Sequence, residues 1–355
     1  MTTVGDLDVF EIVFPRLGIH FTIKDTAFTV FGIYIKWYGI IITAGLFLAL
    51  LFGFSQMKRF GLNSDRAIDA VIAGIIGGLV GARVYYVAMS WSDYAGDWKS
   101  IFNIRNGGLA IYGGIIGACL VGGIVAKLRK VKLLPMLDIA GIGFLLGQGI
   151  GRWGNFVNQE AFGYNTGNLF GMSGGRIQQW IAENADTMDR TMDIYRPVHP
   201  CFLYESVWCL AGFLLLWLVS KKFRKYDGQM FLMYIAWYGL GRFFIEGLRT
   251  DSLYLGNIRV SQALAAICVI ASVIIQVVML FKVRREGAVL YCDTEESKLL
   301  LEENIKNTSD DLEDVESKSE DGESEEVCES ETSDDTGISE KNDINESNDD
   351  IKEEN

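Results

Sequence analysis

The sequence predicts an all-α, polytopic membrane protein with seven transmembrane helices and a disordered acidic tail. Three observations lead to this prediction: seven long apolar stretches, basic residues in alternate connecting loops, and an abrupt change in composition near residue 288. They divide the chain into a seven-helix membrane domain, residues 1–287, and a cytoplasmic tail, residues 288–355.

Seven stretches are long and apolar enough to cross a hydrocarbon core of about 30 Å, which takes about 20 helical residues. One such stretch could be a buried core helix of a soluble protein, but seven in succession disfavour that alternative. The N-terminus lacks a basic region followed by an apolar one, so we expect no cleavable signal peptide. The predicted spans are residues 33–54, 67–88, 108–126, 133–150, 201–220, 229–248 and 261–281.

Basic residues alternate between the two sides of the predicted bundle. The loop between spans two and three holds only Lys99 and Arg105, beside Asp93 and Asp97. The positive-inside rule therefore places the N-terminus outside and the C-terminus in the cytoplasm, as an odd number of spans requires. The loops after spans one, three, five and seven hold Lys58, Arg59, Arg66, Lys127, Arg129, Lys130, Lys132, Lys221, Lys222, Arg224, Lys225, Lys282, Arg284 and Arg285.

The acidic charge is concentrated at the C-terminal end. The chain has a net charge of -13, but residues 288–355 hold 26 of its 45 acidic residues and 5 of its 32 basic ones. The tail is rich in Ser and Asn and has no aromatic residue after Tyr291. Such a segment cannot bury enough apolar surface to offset its ordering entropy, so we predict that it is disordered.

Cysteine and histidine are too few, and too dispersed, to predict a metal site. The six cysteines lack metal-ligand spacing, and His20 and His199 are the only histidines. We therefore expect no metal and no disulfide framework. We also expect no cofactor and no nucleic-acid partner.

The fourth span ends in polar residues, in the stretch "GRWGNFVNQE" (151–160). Arg152 could lie just past the span and extend its charged group to the interface. Its neighbours Asn155, Asn158 and Glu160 favour another interpretation, in which arginine, amides and a carboxylate form a hydrogen-bonded anion site. A guanidinium group suits phosphate because it donates two parallel hydrogen bonds.

A second polar group lies in the sixth span, in "WYGLGRFFIEGLR" (237–249). Tyr238, Arg242, Glu246 and Arg249 are spaced by four, four and three residues, which places them on one helix face. The alternative is a self-sufficient Arg–Glu pair that holds helices together. Because spans four and six both end outward, we expect Arg152 and Arg242 to converge near the outer face.

Tyrosines and a histidine complete the predicted cavity. Tyr112 lies between glycine pairs in "GGLAIYGG"; the glycines themselves indicate close helix packing. Tyr38 begins span one, where it could also be an aromatic-belt anchor, and His199 precedes span five, followed by Tyr204 and Glu205. An outward-facing cavity of this composition suits a lipid with an anionic head group.

These motifs resemble those of the bacterial phosphatidylglycerol–prolipoprotein diacylglyceryl transferase family. "GRWGNFVNQE" is similar to the family signature G-R-x-G-N-F-x-N-x-E, and "HPCFLYE", "YGLGRFFIE" and "GGLAIYGG" resemble three further blocks, over residues 30–285. The resemblance implies a bacterial plasma-membrane enzyme. It would transfer diacylglyceryl from phosphatidylglycerol to the lipobox cysteine of preprolipoprotein signal peptides, forming a thioether and releasing glycerol-1-phosphate.

The resemblance also implies roles for individual residues. Phosphatidylglycerol would be bound by Arg152, Tyr38, Asn158 and His199. The catalytic group would be Arg242, Tyr112, Glu160, Asn155, Tyr238 and Glu246.

One position departs from the family pattern. Many members read H-G-G where this chain has Tyr112, Gly113 and Gly114. A phenol, with an ordinary pKa of about 10, is a poor base at neutral pH, so Tyr112 is expected to donate a hydrogen bond. The general base is left open, with Glu160 as one candidate.

Two other functional classes remain alternatives at this point. A transporter or flippase for an anionic lipid or solute would also need a polar cavity, but the sequence shows no convincing internal repeat. A seven-helix receptor would not need arginines clustered near the outer face.

Overall fold

The computed structural model describes residues 9–103, 107–186, 190–250, 254–255, 258–287 and 290–303. The described residues are mostly helical, as predicted. The helices are α1 (Trp37–Gln56), α2 (Ser64–Met89), α3 (Trp91–Tyr94), α4 (Trp98–Ile101), α5 (Ile111–Leu128), α6 (Leu133–Asn158), α7 (Gly175–Glu183), α8 (Cys201–Lys222), α9 (Gln229–Glu246) and α10 (Val260–Glu286).

Six described helices are long and apolar enough to cross a membrane: α1, α2, α5, α6, α8 and α10. The fold is therefore that of a polytopic membrane protein. The sixth predicted span corresponds to α9, an 18-residue helix that is not among the six. Gln229, Arg242 and Glu246 lower the hydropathy of α9, because all three are strongly polar.

The prediction of an all-α fold omitted the strands. The strands are β1 (Val9–Phe14), β2 (Ile19–Lys24), β3 (Thr26–Val30), β4 (Ile33–Lys36), β5 (Ser173–Gly174), β6 (Tyr254–Leu255) and β7 (Ile258–Arg259). They form one three-stranded sheet, β2-β1-β5, and two hairpins, β3-β4 and β6-β7.

The N-terminal strands also correct the predicted start of the first span. Residues 33–36 pair with β3, so the helix begins at Trp37 rather than at residue 33. In β1, Ile12 and Phe14 are buried in a small core with Ile177 and Ile181 of α7. Burial of every second side chain is typical of a strand. The length of an apolar run alone does not distinguish a strand from a helix.

Glycines allow α2 and α5 to pack closely, and Gly113 of the predicted glycine pairs takes part in this packing, whereas Gly107 and Gly108 precede α5. A Cβ atom at Gly81, Gly113 or Gly117 would collide with the backbone of the partner helix in the α2–α5 pair. Gly45 of α1 and Gly147 of α6 form a similar close approach. Small residues let helix backbones approach within van der Waals contact in membranes.

One end of the bundle, here called the strand end, gathers segments that are distant in sequence. Ile12 of β1 pairs with Gly174 of β5, which follows α6. The segment after α6 also bridges to the segment after α9, through Gly163 and Arg249. The end of α6, the start of α8 and the end of α9 therefore lie together at the strand end.

The opposite end, here called the tail end, holds the loops α1–α2, α5–α6 and α8–α9 together with residues 290–303. Ser297 is fully buried and its hydroxyl donates to the carbonyl of Gly61 over 2.9 Å. The backbone N–H of Tyr291 donates to Oδ2 of Asp227, and Glu296 pairs with Lys132 at 3.1 Å.

The predicted domain boundary at residue 287 does not coincide with the structure. The compact unit extends through Glu303, because Tyr291 and Ser297 are buried and because Glu296 and Glu303 pair with Lys132 and with Arg66 of α2. The predicted disorder of residues 304–355 concerns a part of the chain that lies outside the described residues.

Candidate functional site

The polar residues at the end of α6 form a chain of hydrogen bonds. Nη1 of Arg152 donates to Oδ1 of Asn155 over 3.2 Å. Nδ2 of Asn155 donates to Oε1 of Glu160 over 2.8 Å, and Asn158 donates to the same oxygen over 3.3 Å. Arg152 and Asn155 are one helical turn apart, so the helix itself brings them together.

Glu205 of α8 is the centre of a buried group of arginines. Its Oε2 atom lies 2.5 Å from Nη2 of Arg152. Its Oε1 atom lies 3.1 Å from Nη1 of Arg242 and 3.3 Å from Nη1 of Arg249. Arg152 and Arg242, on α6 and α9, thus converge on one carboxylate from a third helix.

A second carboxylate completes the group. Glu246, 2% exposed, pairs with Nη2 of Arg242 at 2.6 Å, one turn along α9. The backbone carbonyl of Glu246 accepts a hydrogen bond from Arg259. We call Arg152, Glu205, Arg242, Glu246 and Arg249 the ionic cluster.

The ionic cluster has one net positive charge, since three guanidinium groups face two carboxylates. Two of its arginines are more exposed than its carboxylates. The side chains of Arg152 and Arg242 are each 21% exposed, whereas those of Glu205 and Glu246 are 5% and 2% exposed. A ligand that approaches the ionic cluster therefore meets guanidinium groups first, and an anion is the ligand that such groups favour.

Two predicted tyrosines lie beside the ionic cluster. The ring of Tyr38 packs on Gly154 of α6, so closely that a Cβ atom there would be 2.9 Å from the ring. This places Tyr38 next to the turn that carries Arg152. Tyr238 lies one turn from Arg242 on α9, and its ring stacks on Tyr234 with the centroids 5.9 Å apart.

His199 is not brought into contact with the ionic cluster. Its Nδ1 atom lies 3.2 Å from the hydroxyl of Tyr204, and burial lowers the pKa of the His199 imidazole. A neutral ring whose Nδ1 accepts from the tyrosine fits this arrangement. The role of His199 in binding the substrate stays a prediction.

Tyr112 also lies apart from the ionic cluster. It is in the first turn of α5, a helix that packs mainly on α2, and it is 66% exposed. Within the described part of the chain its hydroxyl has no hydrogen-bond partner. The predicted donation of a hydrogen bond from Tyr112 to the substrate stays a prediction.

Neither a metal cluster nor a disulfide is present among the described residues. No three His, Cys, Asp or Glu side chains in that part of the chain are placed to hold a metal ion. The described cysteines are all free thiols: Cys119, Cys201, Cys209, Cys268 and Cys292.

Sequence reasoning did not assign Glu205 or Arg249 to the site. Two signals were available. Glu205 closes the motif "HPCFLYE", and a carboxylate one turn inside an apolar helix needs a cationic partner. Arg249 shares a helix face with Arg242 and Glu246 by spacing, but its partner on α8 is visible only in the structure.

The fold and the site together define an integral membrane protein with a buried cluster of arginines and carboxylates near one end of its helical bundle. Residues 25–278 match the family described as Prolipoprotein diacylglyceryl transferase. The chain belongs to this family and is a transferase, which confirms the resemblance found in its motifs.

Curated relatives support the same assignment. The chain is 43% identical to the phosphatidylglycerol–prolipoprotein diacylglyceryl transferase of Clostridioides difficile (strain 630), over 71% of this chain and 93% of the relative. It is 45% identical to that of Enterococcus faecalis (strain ATCC 700802 / V583), over 72% and 90%. For Finegoldia magna (strain ATCC 29328 / DSM 20472 / WAL 2508) the identity is 44%, over 71% and 94%.

Proposed function

We propose that this protein transfers the diacylglyceryl group of phosphatidylglycerol to the lipobox cysteine of preprolipoproteins, the first step of lipoprotein maturation. The ionic cluster is the observation that carries the proposal. Arg152 and Arg242 are its more exposed members, and their guanidinium groups can donate paired hydrogen bonds to a ligand. The buried carboxylates fix the positions of both arginines. Family membership favours this transfer over a transporter or flippase.

The proposed reaction is a displacement at carbon. The cysteine thiolate forms a carbon–sulfur bond to the glyceryl CH₂, and the bond from that carbon to the phosphate oxygen breaks. The electron pair leaves with glycerol-1-phosphate, so the phosphate gains negative charge as the reaction proceeds. Arg152 and Arg242 are placed to stabilise that charge, which develops in a site of low dielectric.

The thiol must lose its proton before it attacks, because the thiolate is the nucleophile. We propose Glu160 as the base. It is exposed and joined to the ionic cluster through Asn155, whereas Glu205 and Glu246 are buried and paired with arginines. In this scheme Asn155 and Asn158 hold the Glu160 carboxylate in position.

We also propose that α9 is the seventh span. Its N-terminal end lies at the tail end, where the N–H of Gly228 donates to Asp138 near the start of α6. Its C-terminal end lies at the strand end, where Tyr164 donates to the carbonyl of Leu248. Since α6 and α8 join the same two ends and are apolar enough to span, the path of α9 supports a span as well.

Seven spans support an orientation with the N-terminus outside and the C-terminus in the cytoplasm of a bacterial plasma membrane. The strand end would then face outward, where secreted preprolipoproteins emerge. The tail end contains the loops rich in lysine and arginine, as the positive-inside rule requires of the cytoplasmic face.

A transfer assay tests the proposed function. The purified protein is incubated with radiolabelled phosphatidylglycerol and a lipobox peptide, and the thioether product is measured. The parent should form it, and a Cys→Ser version of the peptide should remain unlabelled. Folded parent protein that forms no labelled peptide would refute the proposal.

A further inference from the structure

A pocket of about 320 Å³ opens at the strand end beside the ionic cluster. It is bounded by residues 158–162, by α7 and by Thr250, and none of the three arginines of the ionic cluster lines it. Glu160 connects the two sites, because it lines the pocket and its carboxylate accepts a hydrogen bond from Asn155. We call this cavity the α7 pocket.

The α7 pocket presents both donors and acceptors of hydrogen bonds beside an apolar wall. Phe162 and Trp180 meet edge to face, with their ring centroids 5.2 Å apart. On the polar side, Nε2 of Gln179 donates to Oε1 of Glu183 over 2.8 Å. Such a lining fits a small polar group rather than an acyl chain.

Gln159 gives an independent sign that the α7 pocket binds a ligand. It lines the pocket, is 3% exposed, and its Oε1 accepts from the backbone N–H of Arg176 over 3.1 Å. Its Nε2 atom is buried and has no hydrogen-bond partner in the described part of the chain. Leaving a buried donor unpaired is unfavourable, so such a group indicates a missing acceptor.

Two residues beside Glu160 have a left-handed backbone, and Gln159 has it because it caps the C-terminus of α6. Gln159 and Ala161, on either side of Glu160, have φ angles of 54° and 55°, in the left-handed region that non-glycine residues rarely adopt.

The helix that forms one wall of the α7 pocket is firmly anchored. Arg176 of α7 pairs with both oxygens of Asp25, at 3.0 and 2.9 Å, and Lys36 approaches the same carboxylate. Although burial raises the pKa of Asp25, hydrogen bonds and charges of Arg176 and Lys36 hold it below its ordinary value. The wall is therefore pre-formed.

We infer that the α7 pocket binds the free glycerol head group of phosphatidylglycerol, an inference that rests on the proposed function. A diol donates and accepts hydrogen bonds, so its hydroxyls can donate to Glu183 and to Oε1 of Gln179 and accept from Nε2 of Gln159. The ionic cluster holds the phosphate. The α7 pocket, which Glu160 joins to the ionic cluster, holds the free glycerol that is attached to that phosphate. The pocket thereby selects phosphatidylglycerol among lipids that carry a phosphodiester.

Donor selectivity tests this inference. We would measure kcat/KM for transfer to a lipobox peptide from phosphatidylglycerol and from phosphatidylethanol with the same acyl chains, which keeps the phosphodiester but has no hydroxyl. Gln159→Leu and Gln179→Ala should each lower the preference for phosphatidylglycerol roughly 3- to 10-fold, the effect of one neutral hydrogen bond. Transfer from phosphatidylethanol should not change.

Gln178→Ala is the matched control, since Gln178 is the neighbour of Gln179 on α7 but does not line the pocket. Gln179 is exposed, so its variant stays informative even if Gln159→Leu does not fold. An unchanged preference in folded Gln179→Ala protein would overturn the inference. So would a raised KM for the peptide alone, which would make the pocket a peptide site. A parent without transfer from either lipid would instead reject the proposed function.

Discussion

The strand end and the tail end both contain buried charges, but they use them differently. At the tail end, Asp138 is fully buried and accepts from the backbone N–H groups of Gly228 and Phe231 at 2.9 and 3.0 Å. Arg224 there is 6% exposed and pairs with Asp227 at 2.7 Å. Both charges have protein partners nearby, two backbone amides for Asp138 and a carboxylate for Arg224.

At the strand end, the arginines of the ionic cluster remain partly accessible. The carboxylates of the ionic cluster are the buried partners, while Arg152 and Arg242 keep a fifth of their side-chain surface accessible, 21% each. Burying charge requires a partner in both places. The ionic cluster therefore presents guanidinium groups at its accessible side, whereas the buried charges of the tail end face protein partners.

The largest effect is expected from Arg152. Arg152→Lys keeps the charge but loses the guanidinium fork, and losing a charge-assisted hydrogen bond of roughly 1.5–3 kcal/mol lowers turnover by about 10- to 100-fold. Arg152→Ala should be worse, because the leaving phosphate then lacks a cation. Transfer rates at matched protein abundance measure both variants.

Arg285→Lys is the control for this series, because Arg285 is 84% exposed and lies in the last turn of α10, away from the ionic cluster. Near-parental turnover of Arg152→Lys would contradict the proposal that Arg152 binds the phosphate at the strand end. It would make Arg152 an interfacial anchor and leave Arg242 to hold the phosphate.

Asp138 should affect stability instead of turnover. Asp138→Asn replaces a carboxylate that accepts from two backbone amides by a group with only one acceptor oxygen. Hydrogen bonds to charged groups contribute about 1.5–3 kcal/mol, so the melting temperature in detergent should fall. Turnover per folded molecule should remain parental, and exposed Asp186→Asn should change neither quantity. A turnover loss without a melting shift would contradict the division between the two ends.

Truncation sharpens the boundary of the tail end. Ending the chain after Leu290 removes Tyr291 and Ser297 with their contacts to Asp227 and Gly61, and should lower the melting temperature by several degrees. Ending it after Glu303 should leave that temperature unchanged. Both truncated proteins should keep parental turnover, because the ionic cluster lies at the other end. If truncation after Leu290 leaves the melting temperature unchanged, residues 291–303 do not stabilise the fold.

The smallest effect concerns pH. Burial lowers the pKa of His199, so the folded protein binds the proton more weakly than the unfolded chain does. The contribution of His199 to stability is therefore fully present above the ordinary histidine pKa of about 6.5. It declines as the pH falls from that value through the pKa of His199 in the folded protein. Melting curves between pH 8 and pH 5 (about three units around that value) should show a smaller decline for His199→Gln. An equal decline in parent and variant would exclude His199 as the cause.

Much of the site was visible in sequence because its residues lie close together on helices. Arg152 and Asn155 are one turn apart, as are Arg242 and Glu246, so local spacing predicted both pairs. Glu205 could not be paired in the same way, since its arginine partners lie on other helices. Strand β4 escaped detection because Ile33 and Ile35 extend the apolar run of α1 toward the N-terminus.

Sequence by itself determined the membrane-spanning class, the alternating basic loops and the family, since these depend on apolar length, composition and local motifs. Tertiary structure alone decided that Glu205 joins Arg152, Arg242 and Arg249, and that residues 290–303 pack on the tail end. It also decided that α7 closes a pocket beside Glu160. The physical reason is the same in each case: periodicity records which face of a helix is apolar, whereas the partner of a buried charge depends on how distant helices pack.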